Sequence, residues 1–433
     1  MAHRARLSVV TLAVASTLTL AACSADAAGD SEVVAGPVVT ATGSSPTGYE
    51  VTFRYADDEA EQVWLAGDLY FTTPDLVSVM GAEQSWLGDE WLPGDVSASP
   101  QAQDLAQMTQ NDDGVWELTM AIPAGMWNYG FVTAPCDFIH TCAVAADPAN
   151  VPTLSPTDGV GQAWSQVYVP VDPDHPTYAA SGQVPASAEL RGTLDTITYD
   201  SPDAVDPAGE HQLGVYLPAD YDPDRTRPYP MLVLSHGAGD DETGWWTQGG
   251  AATQLDHAIA ESVIEPTVVV TTNFMGLSES GMEDPDFFDL YAADLIDNVL
   301  PTVEARFNVT TACQQRAFAG LSMGAKLAEH LMLNRPGEFC EFGLWSTPAQ
   351  VAPVDPTSLS QAQLAGLGAV DRVHLGTGLQ DELVATPATY EAWAGTAATA
   401  GAEVSTLMID GGHTWWVWRQ MLGDFLSTSQ FAQ

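Results

Sequence analysis

The sequence predicts an α/β chain in which a mostly parallel sheet covered by helices follows a small β-sandwich. Three observations carry that expectation. From Gly48 to about residue 170, short stretches alternate apolar and polar residues between Gly, Pro and Asp turns, as antiparallel strands with one wet face do. From Glu189 onward the apolar runs become continuous and alternate with segments of helical periodicity, as in a parallel sheet buried on both faces. Between them, Pro170 to Ala188 is rich in Pro, Asp, Ser and Ala and reads as a connection.

The N-terminus sets the compartment. "MAHRARL" is basic, and "SVVTLAVASTLTL" is apolar but shorter than the roughly 20 residues a membrane span needs. The run ends in "LAAC", Leu20 to Cys23, which resembles a lipobox. On that resemblance residues 1–22 are a lipoprotein signal peptide, and the Cys23 thiol carries the lipid on the extracellular face of the membrane. An ordinary secretory signal is the alternative. Residues 23–47 lack periodicity and read as a flexible tether, leaving 48–170 for the sandwich, 171–188 for the linker and 189–433 for the α/β domain. Lys+Arg total 12 against 57 Asp+Glu, a formal net charge of -45. Such a surface repels nucleic acid and anionic headgroups, so the membrane enters only through the lipid.

Four cysteines follow Cys23, and an exported chain meets an oxidising environment. Of the three possible pairings, Cys136–Cys142 with Cys313–Cys340 is favoured, because each pair lies within one proposed domain. "CDFIHTC" adds His140, but its spacing fits no standard zinc motif, so no metal is expected.

In the first domain "YEVTFRYA" puts Val51, Phe53 and Tyr55 on one face, and "DGVWELTMAIPAG" lines up Trp116, Leu118, Met120 and Ile122. "EQVWLAGD" and "WNYGFVTA" are further strands. Trp116 belongs to a core face, whereas Trp64 alternates outward. Trp86 and Trp91, in the irregular "QSWLGDEWLPGD", are the better candidates for sugar platforms. With "DPAN" at Asp147 to Asn150, these pieces resemble the CBM48-like early-set modules that precede some carbohydrate and siderophore esterases.

In the second domain "HQLGVYLPADYD" is strand then turn, and "YPMLVLSHG" and "PTVVVTTNF" are buried strands. "FFDLYAADLIDNVLPTVEARF" is helical; "RAFAG", "DRVHLGTG" and "STLMID" are strands. After "RAFAG", Leu327, Ala328, Leu331 and Met332 mark an amphipathic helix. Ser322 thus sits in Gly320-Leu321-Ser322-Met323-Gly324, at a strand-to-helix turn too tight for side chains at 320 and 324.

A serine hydroxyl needs a base, and the base an orienting acid. Beyond the elbow helix stand His374, inside a strand, and His413, in a loop opened by two glycines; His413 is the expected base. Asp381 in "GTGLQDEL" is the expected acid, ahead of Glu382, with Asp371 and Asp410 weaker. The oxyanion donors are expected at the amide of Met323, directly after the nucleophile, and of Ala238 in "SHGAGDDETGW", with Gly239 the alternative.

These stretches, with "GGHTWWVWRQML", resemble the putative-esterase family of α/β-hydrolases, which includes feruloyl and acetyl-xylan esterases, enterochelin esterases and antigen-85-like mycolyltransferases. The resemblance spans nearly all of residues 189–433 and places the same roles on Ser322, Asp381, His413, Ala238 and Met323. It departs at Ala325, where a second Gly is usual, and at Trp416, where Pro is common. It implies an exported serine esterase that needs no cofactor and acts on acylated carbohydrate or a small ester. The alternatives are a siderophore esterase, an acyltransferase of the same fold, or a glycan-binding surface lipoprotein without activity.

Overall fold

The computed structural model describes residues 36–44, 46–79, 81–136, 142–154, 164–175 and 181–432. The signal peptide, Cys23 and His140 lie outside the described residues. No helix among those described is long and apolar enough to cross a membrane.

The N-terminal region is β-rich. Beside two smaller sheets of short strands, its larger sheets are built from β1 (Val38–Ala41), β2 (Tyr49–Ala56), β3 (Trp64–Gly67), β4 (Ala106–Gln107), β5 (Thr109–Gln110), β6 (Val115–Ala121), β7 (Gly125–Val132) and β8 (Ser165–Val169). They form two four-stranded antiparallel sheets, β1-β2-β6-β5 and β8-β7-β3-β4. The alternating sequence of β2 and β6 sends Val51, Phe53, Trp116 and Met120 inward. Across the gap Phe53 meets Tyr129 at 4.9 Å and Tyr55 meets Phe131 at 4.5 Å between ring centroids.

Strand β7 is buried along its whole length, unlike its neighbours. Trp127, Tyr129 and Phe131 face the other sheet, while the alternate residues Met126 and Asn128 face the C-terminal region, where the Met126 carbonyl and the Asn128 side chain find partners. This explains why "GMWNYGFV" shows no clean alternation. It also joins the two regions: one continuous apolar cluster runs from Val51 and Trp127 to Trp245, Trp416 and Phe425. The stretch expected as a linker ends packed, with Gln183 buried and accepting from the Met126 amide at 2.9 Å.

Of the two tryptophans expected as sugar platforms, Trp91 is not one. Asp95 accepts from the Trp86 indole and the Leu92 amide, and Asp89 from the Ala121 amide. These bonds fold the "QSWLGDEWLPGD" loop back on the sheet. Trp91 is left 1% exposed in the core, with Trp86 half-buried against the same cluster. Trp91 therefore offers no open ring face as a platform.

The C-terminal region holds one eight-stranded sheet. Its strands are β9 (Thr193–Val205), β10 (Ala208–Leu217), β11 (Met231–Ser235), β12 (Val268–Thr272), β13 (Arg316–Leu321), β14 (Glu341–Trp345), β15 (Arg372–Gly378) and β16 (Glu403–Ile409). Their order is β9-β10-β12-β11-β13-β14-β15-β16, antiparallel at the β9 and β10 edge and parallel from β12 onward. Helices α1 (Ala251–Ala260), α2 (Phe287–Asp294), α3 (Met323–Asn334), α4 (Gln361–Leu367), α5 (Pro387–Ala400) and α6 (Trp415–Thr428) cover both faces. This is an α/β-hydrolase-like layout, in which loops at the carboxyl ends of the strands are free to carry chemistry. Disulfides join Cys136 to Cys142 and Cys313 to Cys340.

Candidate active site

Ser322 sits between β13 and α3 with φ 52° and ψ -118°, a conformation that non-glycine residues seldom adopt. The flanking glycines make it reachable. A Cβ at Gly320 would lie 2.5 Å from the Gly324 carbonyl, and a Cβ at Gly324 would lie 2.6 Å from the carbonyl oxygens of Ser235 and His236. The collision expected of side chains is thus with backbone. Gly324 is needed because α3 starts against the end of β11.

Three loops bring the other groups to Ser322. His413 Nε2 lies 3.0 Å from Ser322 Oγ, and His413 Nδ1 lies 2.7 Å from Asp381 Oδ2. The Asp381 carboxylate is buried, and its other oxygen accepts from the Leu383 amide at 3.2 Å. Gly411, with φ +134°, turns the chain out of β16 toward the serine. The Trp418 ring stands edge-on to the His413 imidazole at 4.8 Å, held by its indole N–H donating to Ser346 Oγ. The imidazole is therefore pinned by both a carboxylate and an aromatic wall.

The competing acids and base lie elsewhere. Glu382 and Asp371 are exposed, and Asp410 accepts from Gln380. His374 is buried inside β15, where its Nδ1 accepts from the Trp345 indole and its Nε2 faces Asp424 at 3.0 Å.

The Ser322 amide donates to the Trp345 carbonyl at 2.8 Å, so the first amide of α3 at the site is that of Met323, at the positive end of the helix dipole. Ala238 lies exposed on the facing loop, beside Gly239 with φ +83°. Gly237 lets this loop close in, since a Cβ there would sit 2.7 Å from Leu321 and 3.1 Å from the Ser322 Cβ.

The cleft around these groups has a volume of about 620 Å³, within the usual range for a small-molecule site. Asp68, Asn128 and Trp164 of the β-rich region line it together with Ala238, Ser322 and Trp415. Arg419, on α6 six residues after His413, holds that wall in place. It donates to the Met126 carbonyl at 2.7 Å, to the Gln248 carbonyl at 3.0 Å, and to the Asp68 carboxylate. Asn128 donates to the Gln248 carbonyl at 3.1 Å and accepts from Gln166. Sequence reasoning missed this whole set. Arg419, which ends the run of four apolar residues opening α6, was the available signal; nothing local marks Asp68 or Trp164.

Residues 206–427 match the family model described as Putative esterase. An endo-1,4-beta-xylanase/feruloyl esterase of Xylanibacter ruminicola is 34% identical over 163 residues, 36% of this chain and 22% of that protein. Endo-1,4-beta-xylanase Y of Acetivibrio thermocellus is 30% identical over 137 residues, 29% of this chain and 12% of that protein. The chain thus spans less than a quarter of these curated relatives. Among solved structures, the enterobactin esterase of Shigella flexneri superimposes over 90% of this chain and 95% of its own, with a TM-score of 0.51 at 17% identity. At that identity the likeness speaks for the fold alone.

Proposed function

The chain belongs to the putative esterase family, and from that premise we propose an exported serine carboxylic ester hydrolase that acts on acylated carbohydrate through an acyl-enzyme. The observation that carries the serine mechanism is the Ser322–His413–Asp381 relay, with contacts of 3.0 and 2.7 Å at a strained strand-to-helix turn.

In this reading His413 Nε2 takes the Ser322 proton as Oγ attacks the ester carbonyl. Asp381 accepts from Nδ1–H, which keeps Nε2 unprotonated in the resting state and stabilises the imidazolium that forms. The amides of Met323 and Ala238 receive the charge that develops on the carbonyl oxygen; each such donor is typically worth about 10²–10³ in rate. Collapse of the intermediate expels the alcohol, which takes its proton from His413, and leaves the acyl group on Ser322. Water, activated by the same imidazole, then releases the acid.

Carbohydrate is favoured over the siderophore alternative on charge. Asp68 and Asp240 line the cleft, the Arg419 guanidinium beside it is engaged by Asp68, and the chain carries -45 overall. A polyanionic iron–catecholate complex would be repelled, whereas a neutral sugar ester would not. The name of one curated relative, an endo-1,4-beta-xylanase/feruloyl esterase, supports feruloyl esters of xylan, and the second is also named a xylanase. Export rests on the signal sequence, and lipid attachment on Cys23.

A panel of methyl ferulate, acetylated xylan, p-nitrophenyl acetate and a catecholate trilactone tests the proposal. Wild type should cleave at least one of the first three and leave the trilactone. Ser322→Ala should lower kcat by about 10⁴–10⁶ with the fold intact. More than a tenth of wild-type activity in that variant would remove Ser322 as nucleophile.

A further inference from the structure

The wall that the β-rich region contributes to the cleft has no part in the relay, and its chemistry points to the alcohol half of the substrate. We infer that Trp164 is the stacking platform for the sugar ring of the leaving alcohol, and that the β-rich region is thereby part of the active site. This rests on the esterase reading above and names the subsite that would make the enzyme selective for sugar esters.

Trp164 is half-buried and lines the same cleft as Ser322 and His413. It stands over Gly130 of β7: a Cβ at that glycine would lie 2.4 Å from Val144 and 3.6 Å from the indole. Gly130 shares its strand face with Met126 and Asn128, the residues that meet the C-terminal region. The indole is therefore backed by the strand on the side that the Arg419 contacts hold against the catalytic loops. An indole offers an apolar face, which suits the C–H face of a pyranose or furanose, and a polar edge. Beside it are groups suited to hydroxyls: Ser99 is half-exposed, and 19% of the Asp68 side chain reaches solvent. Carboxylate and hydroxyl oxygens accept from sugar O–H groups without attracting an anion.

The side of the cleft follows from proton transfer. His413 must deliver a proton to the leaving oxygen, so the alcohol departs next to the imidazole. The β-rich region touches that loop directly: a Cβ at Gly412 would lie 2.9 Å from Val77 Cγ1. Thr414 and Trp415, the two residues after the base, share the cleft with Trp164. A sugar on the leaving side would thus lie between the α6 end of the site and the β-rich wall.

The test uses the full chain and pairs of esters that share an acyl group. One pair is a feruloylated arabinoxylo-oligosaccharide against methyl ferulate; the other is an acetylated xylo-oligosaccharide against p-nitrophenyl acetate. The readout is the ratio of kcat/KM within a pair. Trp164→Ala should lower the ratio roughly five- to tenfold, mainly through KM for the sugar ester, and Trp164→Phe should recover most of it. An equal loss on both members, or no loss on either, would overturn the platform, as would a wild type that gains nothing from a sugar alcohol in either pair. Ser322-dependent cleavage of p-nitrophenyl acetate reports on the esterase reading separately, so failure of one is distinguishable from failure of the other.

Discussion

At Ser322 the backbone bears a cost so that one hydroxyl can stand clear of the sheet. Its φ of 52° is tolerated because Gly320 and Gly324 remove the side chains that would forbid the turn, and because the Ser322 amide is tied to the Trp345 carbonyl. The acid is selected with similar economy. Asp381 and Glu382 are neighbours in sequence, yet the Asp381 carboxylate is buried 2.7 Å from His413 Nδ1 while Glu382 is exposed. Asp381→Asn should therefore keep the fold and lose about 10⁴ in kcat near neutral pH, because the amide can favour the wrong imidazole tautomer. Glu382→Gln should change kcat by less than about twofold, as a surface substitution outside the site does. Steady-state kinetics of the two variants decide the matter; a crippled Glu382→Gln beside a mild Asp381→Asn would move the acid by one residue.

At the scale of elements, burial on both faces explains the strands that depart from simple patterns. Strand β14 begins with Glu341, which is 2% exposed and accepts from the Gln430 amide at 3.0 Å. Burial pushes its carboxyl from 4.5 up to about 8, against the downward pull of that hydrogen bond and of Arg372. The folded chain thus holds a proton that the unfolded chain has released over this interval. Its contribution to stability is complete below about pH 4.5 and is lost as pH rises through about 8, at about 1.4 kcal/mol for each unit between the two values. Glu341→Gln keeps an acceptor and cannot ionise. Chemical denaturation at pH 6 and pH 9 should show the variant gaining on wild type by a few kcal/mol at the higher pH. Parallel losses in both proteins would show that Glu341 does not carry the effect.

For the whole molecule, Arg419 links α6, the helix after His413, to the wall of the cleft. It is 1% exposed, and its guanidinium serves two carbonyls and the Asp68 carboxylate from two different regions. Removing one partner of a buried pair strands the other, at a typical cost of about 3–5 kcal/mol. Arg419→Ala should lower stability by that order, and Asp68→Asn by less, because the amide still accepts. Both should impair hydrolysis of bulky sugar esters more than of p-nitrophenyl acetate, since the relay itself contains neither residue. Denaturation midpoints with kinetics on both substrates provide the check. Equal losses on the two esters would mean that the clasp supports the relay and not the wall.

The sequence by itself determined what is local or ordered along the chain. The elbow could be read because a tight turn demands glycine at both 320 and 324, and the change from alternating to continuous apolar runs marked where the covered sheet begins. Chain order pointed to His413 and favoured Asp381 while leaving Glu382, Asp371 and Asp410 open; the approach of His413 and Asp381 to Ser322 is a fact of the fold. Tertiary structure alone decided which aromatic rings are walls and which are core. Trp91 is drawn inward by loop bonds through Asp95 and Asp89, whereas Trp164 stands over Gly130, on the face of β7 that meets the C-terminal region, and lines the cleft. Both are tryptophans beside short strands, and no local periodicity separates them. The place of Trp164 depends on a surface supplied by a distant part of the chain, as the Arg419–Met126 hydrogen bond, at a separation of 293, illustrates.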